Sequence, residues 1–246
     1  MESNVMVYLM TGFLDSGKTQ FLKFTLGQDY FQIDGKALLI LCEEGEEEYN
    51  PMEMLKYGVV IEKIEDQEDL TEEYLEELNR KHEPERVVVE YNGMWKVSDF
   101  ESMKLPDGWE IEQKLTTVDA STFQMYLTNL KPLFVEMVRG AELVLFNRCE
   151  DLKPLPGYRR SVKVVSPQAE VIFEDEEGEI ENIFEDDVPY DLKAPVIQIA
   201  REDYGIWYVD MMENPDRYKG KTVEFTAKVL KPRSFPSKVF LPGRMA

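Results

Sequence analysis

"GFLDSGKTQFL", residues 12–22, follows the apolar run "VMVYLM" (5–10) and opens an apolar-periodic stretch. Gly12 to Thr19 fits the pattern G-x-x-x-x-G-K-[ST], in which each fixed position has a physical job. Gly12 and Gly17 let the backbone take conformations that a Cβ forbids, so successive N–H groups can point at phosphate oxygens. Lys18 places a cation beside the β- and γ-phosphates, and the Thr19 hydroxyl can ligate Mg²⁺. The following helix adds the positive end of its dipole. The pattern alone is moderately specific; the strand before it and the helix after it give it weight. It predicts a nucleotide-binding α/β fold whose first strand feeds the loop.

Working outward, short β-rich apolar runs alternate with helical stretches. Strands are expected at Val5–Met10, Lys36–Cys42, Val59–Ile64, Val87–Glu90, Leu115–Asp119, Leu143–Asn147 and Val162–Val165. Helices are expected at Lys18–Gly27, Thr71–Lys81, Ser121–Leu127 and Leu133–Arg139. "VVVE" (87–90) and "LVLFN" (143–147) are continuously apolar, as are strands buried on both faces of a parallel sheet. The expected first domain, residues 1–167, is a mostly parallel sheet flanked by helices. From Gln168 the composition changes. "AEVIFEDEEGEIENIFEDD" (169–187) reads as an acidic hairpin turning at Gly178, and "VPYDLKAP" (188–195) as a connector. Residues 168–194 would then link to a small β-rich domain at 195–246, built from "VIQIA", "GIWYVDMM" and "KTVEFTAKVLK". The ending "FLPGRMA" suggests a fragment of a longer protein.

Composition narrows the partners. Of 246 residues, 43% are hydrophobic and 11% aromatic, enough for a sizeable core. Against 49 acidic residues stand 28 basic ones, a net charge of −21 that argues against bare nucleic acid as a partner. Cys42 and Cys149 form no CxxC pair, which favours a reducing compartment over a disulfide scaffold. No apolar run reaches the roughly 20 residues of a membrane span, and no signal peptide is legible, so a cytoplasmic protein without membrane insertion is expected. The single histidine, His82, is expected to be a solvated surface residue at a charged helix end.

Two further stretches fall at strand ends. In "VVVEYNGMW" (87–95), Glu90 can reach Mg²⁺ through water and the Gly93 N–H can sense a γ-phosphate. In "LVLFNRCEDL" (143–152), Asn147 can meet the acceptor edge of guanine while Glu150, or Asp151 if the loop is offset, accepts from its N–H donors. The ordered set "GFLDSGKTQFL", "LCEEGEE" (41–47), "VVVEYNGMW", "TTVDASTF" (116–123) and "AELVLFNRCEDL" (141–152) resembles the CobW-type GTPases, kin of the urease and hydrogenase maturation GTPases. The resemblance covers roughly Met1 to Pro167 and implies GTP or GDP with Mg²⁺ as ligands. It implies Lys18, Glu43 and Glu90 as the catalytic set, and Thr19, Glu43 and Glu90 around the metal. Nucleotide contacts are implied for Gly12, Asp15, Ser16, Gly17, Lys18, Thr19, Gln20, Gly93, Asn147, Arg148 and Glu150.

The chain departs from that family's pattern at telling positions. Asp15 stands where the family usually has glycine, and Cys42 replaces the asparagine that precedes the switch glutamate. Arg148 and Glu150 replace the Lys and Asp of N-K-x-D; Arg148 can keep a cation stacked over the base, and Glu150 is one methylene too long. The C-x-C-C motif of the family's metal chaperones is missing. "EEGEEE" (43–48) reads as a solvated switch segment, since carboxylates are poor soft-metal ligands. "YKGKTVEFTAKV" (218–229) resembles small β-domains of permease-associated proteins. The expected function is a slow Mg²⁺-dependent GTPase switch acting on a partner protein, a permease or a metalloprotein, with a nucleotide-dependent dimer as one form. A module that holds nucleotide to regulate a transporter without hydrolysis is the alternative. A phosphate-loop kinase would want an arginine-rich lid, for which "GYRRSVK" (157–163) is too short.

Overall fold

The computed structural model describes residues 4–150, 155–180, 188–201, 203–230 and 241–243. The chain divides into two compact units, residues 1–183 and 184–246.

In the first unit the strands are β1 (Val5–Thr11), β2 (Ala37–Leu41), β3 (Val59–Lys63), β4 (Arg86–Glu90), β5 (Trp109–Asp119), β6 (Leu143–Asn147), β7 (Glu170–Asp175) and β8 (Gly178–Glu179). They form one sheet in the order β3-β2-β4-β1-β5-β6-β7-β8. Every pairing through β7 is parallel; only β8 runs antiparallel. The helices are α1 (Lys18–Leu26), α2 (Pro51–Lys56), α3 (Glu72–His82), α4 (Val97–Glu101), α5 (Phe123–Asn129), α6 (Lys131–Val138) and α7 (Leu155–Val165).

The continuous apolar runs follow from burial on both faces. Val7, Leu9, Leu38, Ile40, Val87 and Val89 point into one core, filled by Leu75 and Leu78 of α3, Phe100 of α4, Phe123 of α5, Phe134 of α6 and Tyr158 of α7. The alternate residues Met10, Ala37, Leu39 and Val88 point into a second core with Leu22 and Leu26 of α1 and Met54 of α2. After β1 the chain builds β2, β3 and β4 on one side of it, then β5, β6 and β7 on the other. Such a switch point opens a crevice at the carboxyl ends of the strands, where ligands bind in sheets of this kind.

Several expectations need correction. Val162–Val165 is the last turn of α7, not a strand: Leu155, Tyr158 and Val162 share one buried face at helical spacing, which outweighs the β-branched run. The acidic hairpin forms, with the Asp175 carboxylate accepting from the Glu177 N–H and Gly178 at φ 120°. Its first strand, however, is the seventh parallel strand of the large sheet. Helix α2 was hidden in the acidic segment, although its signals are present: the Asn50 side chain caps the N–H groups of Met52 and Glu53, and Pro51 occupies the first turn. His82 is not solvated; its ring lies 2.6 Å from Glu62 with 13% of the side chain exposed.

The second unit contains β9 (Val196–Ile199), α8 (Tyr204–Glu213), β10 (Thr222–Phe225), β11 (Lys228–Leu230) and β12 (Leu241–Gly243). β9 and β10 are parallel around α8, and β11 pairs antiparallel with β12. "GIWYVDMM" is therefore helix rather than strand. Tyr204 stacks on Tyr208 and packs against Trp207, the i, i+4 and i, i+3 contacts that a helix creates and a strand does not. Tyr190, Ile197, Ile199, Trp207 and Tyr218 form its core, in which the Tyr218 hydroxyl bonds Tyr190 at 2.7 Å and also donates to Asp210.

Candidate functional site

The parallel sheet delivers Thr11, Leu41, Glu90, Asp119 and Asn147 to one edge, where Met10 is in register with Glu90 and Asp119 with Asn147. The loop from Gly12 to Lys18 crosses that edge. Three glycines make room for it. A Cβ on Gly12, whose φ is 146°, would lie 2.5 Å from the Thr117 carbonyl oxygen; one on Gly17 would lie 2.4 Å from Asn147 Nδ2. A Cβ on Gly93, arriving from the end of β4, would lie 2.5 Å from the Gly12 carbonyl oxygen and 2.7 Å from Phe13 Cα. Backbone atoms close Gly12 and Gly93 to any side chain, whereas at Gly17 the Asn147 amide would have to move.

Asp15 departs from the expected glycine at a residue with φ 57°, a left-handed conformation that aspartate tolerates better than most residues. Its carboxylate accepts the Glu46 N–H at 3.0 Å, so the loop holds the acidic segment that follows β2. Ser16 Oγ is hydrogen-bonded to Thr117 Oγ1 at 2.9 Å, anchoring the loop to β5.

Lys18 is buried, and its ammonium donates to the Gly12 and Phe13 carbonyls at 3.0 Å each and to Glu43 Oε2 at 2.6 Å. All three of its donors are used. Thr19 Oγ1 donates to Glu90 Oε1 at 2.7 Å, and the Tyr49 hydroxyl donates to Glu90 Oε2 at 2.5 Å. Burial pushes the Glu90 carboxyl above its ordinary value, with the Glu43 charge adding to it, although Tyr49, Thr19 and Lys18 pull the other way. Burial and the Glu90 charge push the Tyr49 hydroxyl up strongly, so it stays protonated as a donor. Of the expected metal set, Thr19 and Glu90 are therefore joined directly. Glu43 lines the same cleft but spends its oxygens on Lys18 and, at 3.3 Å, on the Gly93 N–H.

"EEGEEE" is accordingly not a uniformly solvated run. Glu43 is held in the cleft, while the more exposed Glu44 and Glu47 pair with Lys63 and Lys23. Cys42 is buried in the core, where burial, then Glu90 and Glu43, raise its thiol well above the usual range.

At the other end of the crevice, Asn147 Nδ2 donates to the Ser16 carbonyl at 2.8 Å, leaving its second hydrogen for another acceptor. Its Oδ1 is buried and has no partner among the described residues. Arg148, at φ 53°, donates to the Asp15 carbonyl at 2.8 Å and to Asp119 Oδ2 at 2.7 Å. Glu150 and Gln20 are exposed; with Phe21, Phe24 and Asn147 they border a groove of about 840 Å³. Asp151 lies outside the described residues. Sequence reasoning missed Tyr49 and Asp119. Tyr49 carries no local signal, whereas Asp119 ends the strand whose last residue is in register with Asn147.

Strand, glycine-lined loop, buried lysine, helix and acidic strand end together define a phosphate-loop nucleotide-binding protein. The oxygen donors Thr19 and Glu90 suit a hard divalent cation, and the glycine-walled cradle suits phosphate. The sequence model of the CobW/HypB/UreG nucleotide-binding domain matches residues 6–173, and the chain belongs to that family. The model of the DUF1980 C-terminal domain matches residues 176–246. Among solved structures, the chain is similar to the Zn(II)-bound YjiA GTPase from E. coli, at 22% identity and TM-score 0.52, over 72% of this chain and 59% of that one. It is also similar to the hydrogenase maturation factor HypB from Archaeoglobus fulgidus, at 17% identity and TM-score 0.51, over 72% and 83%. At these identities the likeness is one of fold, and the chain spans less than two thirds of the YjiA GTPase. No curated protein matches the chain. Among the described residues no helix is long and apolar enough to cross a membrane.

Proposed function

We propose that the chain binds GTP with Mg²⁺ in the Gly12–Thr19 loop and hydrolyses it slowly, as a switch that acts on a partner protein. The observation that carries this reading is the cradle itself: backbone closes Gly12 and Gly93 to a Cβ, Gly17 sits at φ 94° against the Asn147 amide, and the buried Lys18 ammonium donates to the Gly12 and Phe13 carbonyls of the same loop. Lys18 would hold the β- and γ-phosphates, and the Gly93 N–H would contact the γ-phosphate. Thr19 and Glu90 would hold the magnesium, which supplies positive charge to the phosphate oxygens when bound. Water would attack the γ-phosphorus as its bond to the bridging oxygen breaks, with Lys18 stabilising the charge that develops. Asn147 would donate to the acceptor edge of guanine, and Glu150 would accept from its N–H groups.

Unaided turnover should be slow, as for switch GTPases that wait for a partner, and a regulatory nucleotide module without hydrolysis is the second reading. The unit matching the DUF1980 C-terminal domain is the candidate element for engaging the partner, and a permease or a metalloprotein remains the proposed class.

Calorimetry with GTP, GDP and ADP on the full chain and on Lys18→Ala tests the reading. GTP and GDP should bind the wild type more tightly than ADP, and Lys18→Ala should abolish tight triphosphate binding without loss of fold. Unchanged affinity in the variant would remove the phosphate-loop assignment. Turnover measured with and without a candidate partner separates the switch from the regulatory module.

A further inference from the structure

Glu43 bridges two donors that belong to different elements. Its Oε2 lies 2.6 Å from Lys18 Nζ, on the loop after β1, and its Oε1 accepts the Gly93 N–H at 3.3 Å, after β4. The ion pair is withdrawn from water, with side chains 3% and 9% exposed for Lys18 and Glu43. In a phosphate loop the lysine serves the β- and γ-phosphates, and Gly93 is the strand-end N–H assigned above to the γ-phosphate. The loop N–H groups can cradle a β-phosphate on their own side, but an anion spanning Lys18 and the Gly93 N–H takes the place of the γ-phosphate. We propose that Glu43 is a built-in surrogate for the γ-phosphate and thereby sets the preference between diphosphate and triphosphate. This rests on the phosphate-loop reading above.

A triphosphate must displace the Glu43 carboxylate from both donors, whereas a diphosphate can leave the Gly93 contact in place. The displacement reaches further than one side chain. The same segment is tied to the loop by the Glu46 N–H on Asp15 and to Glu90 by the Tyr49 hydroxyl. Gly45 packs so closely on Asp15 that a Cβ there would lie 2.4 Å from its Oδ1. The exposed Lys23–Glu47 pair adds little, because water and salt screen it. Arrival of a γ-phosphate would thus be transmitted to residues 43–49 by direct competition for Lys18 and Gly93. The role also accounts for Asp15: at a position where glycine would serve the backbone, aspartate adds a clasp on the segment that Glu43 anchors.

The test compares affinities of the full chain for GDP and for a hydrolysis-resistant GTP analogue, each with Mg²⁺, in wild type, Glu43→Gln, Glu43→Ala and Lys18→Ala. Glu43→Gln keeps the side-chain volume and an acceptor for Gly93 but removes the negative charge that faces Lys18, so the fold should persist. Loss of one charge-assisted contact should raise the analogue-to-GDP affinity ratio about tenfold in Glu43→Gln, and at least as much in Glu43→Ala. A ratio that stays the same or falls in both variants would overturn the surrogate role; a fall would mean that Glu43 supports the bound triphosphate instead. Failure of wild type to bind either nucleotide, or equal binding by Lys18→Ala, would overturn the phosphate-loop reading itself, and the surrogate with it.

Discussion

Replacing Gly17 by alanine tests whether the loop and the end of β6 are one packed unit. The new Cβ would lie 2.4 Å from Asn147 Nδ2, far inside van der Waals contact. Gly17 also has φ 94°, and a left-handed conformation costs an L residue roughly 1–2 kcal/mol. The clash must push Asn147 aside and break its 2.8 Å bond to the Ser16 carbonyl, worth about another 1 kcal/mol. Gly17→Ala should therefore lose roughly 2–3 kcal/mol of stability, the sum of these terms. Asn147→Ala should do much less. It gives up the same bond but also removes a buried Oδ1 with no partner among the described residues, and such an orphan costs about 1–3 kcal/mol, so the two terms largely offset. With Asn147 already truncated, Gly17→Ala meets no amide and only the backbone term remains. The double-mutant cycle should thus show a coupling of about 1 kcal/mol between the two positions. Urea denaturation of the four proteins, without added nucleotide, reads it directly. Strict additivity would refute the packing argument. A loss above about 2 kcal/mol in Asn147→Ala would refute the offset by the unpartnered oxygen.

Two further outcomes follow from the charges and thiols. Burial alone would raise the Asp119 carboxyl, but bonds from Ser121 and Arg148 outweigh it and hold the group below its ordinary value. An acid lowered in the folded state adds stability that is present above its unfolded value and lost as pH falls through the folded one. Asp119→Asn should therefore cost about 1 kcal/mol at neutral pH, a figure kept low by the exposure of Arg148, and the gap to wild type should close in acid. A gap that is constant in denaturation curves from pH 7 to pH 2 would contradict the linkage. Cys42 and Cys149 are both buried; burial raises the first strongly and pushes the second up to about 12, so neither supplies thiolate at neutral pH. Labelling by a thiol reagent should wait on unfolding, and rapid reaction of the native chain would show that one of them is accessible.

The sequence by itself determined the phosphate loop and the strands that feed the site, because both are written in short stretches. Gly12, Gly17, Lys18 and Thr19 are neighbours along the chain, and runs such as Val87–Glu90 are apolar at every position because both faces of the sheet are covered. Local pattern was weaker where β-branched or aromatic residues filled a helix. Val162–Val165 and "GIWYVDMM" read as strands because four to eight apolar residues do not reveal their period, and packing against the rest of the unit decided for α7 and α8. The contacts that give the site its character were beyond any local reading. Glu43 meets Lys18 across 25 residues, Tyr49 meets Glu90 across 41, and Arg148 meets Asp119 across 29. Only the parallel order of the strands places these residues along one sheet edge, and only there does burial make their charges compete for the same few donors. A row of glutamates in the sequence looks uniformly solvated. The tertiary structure selects one of them for the lysine: Glu43, just after β2, lies between Lys18 and the Gly93 N–H, while Glu44 and Glu47 pair outward with Lys63 and Lys23.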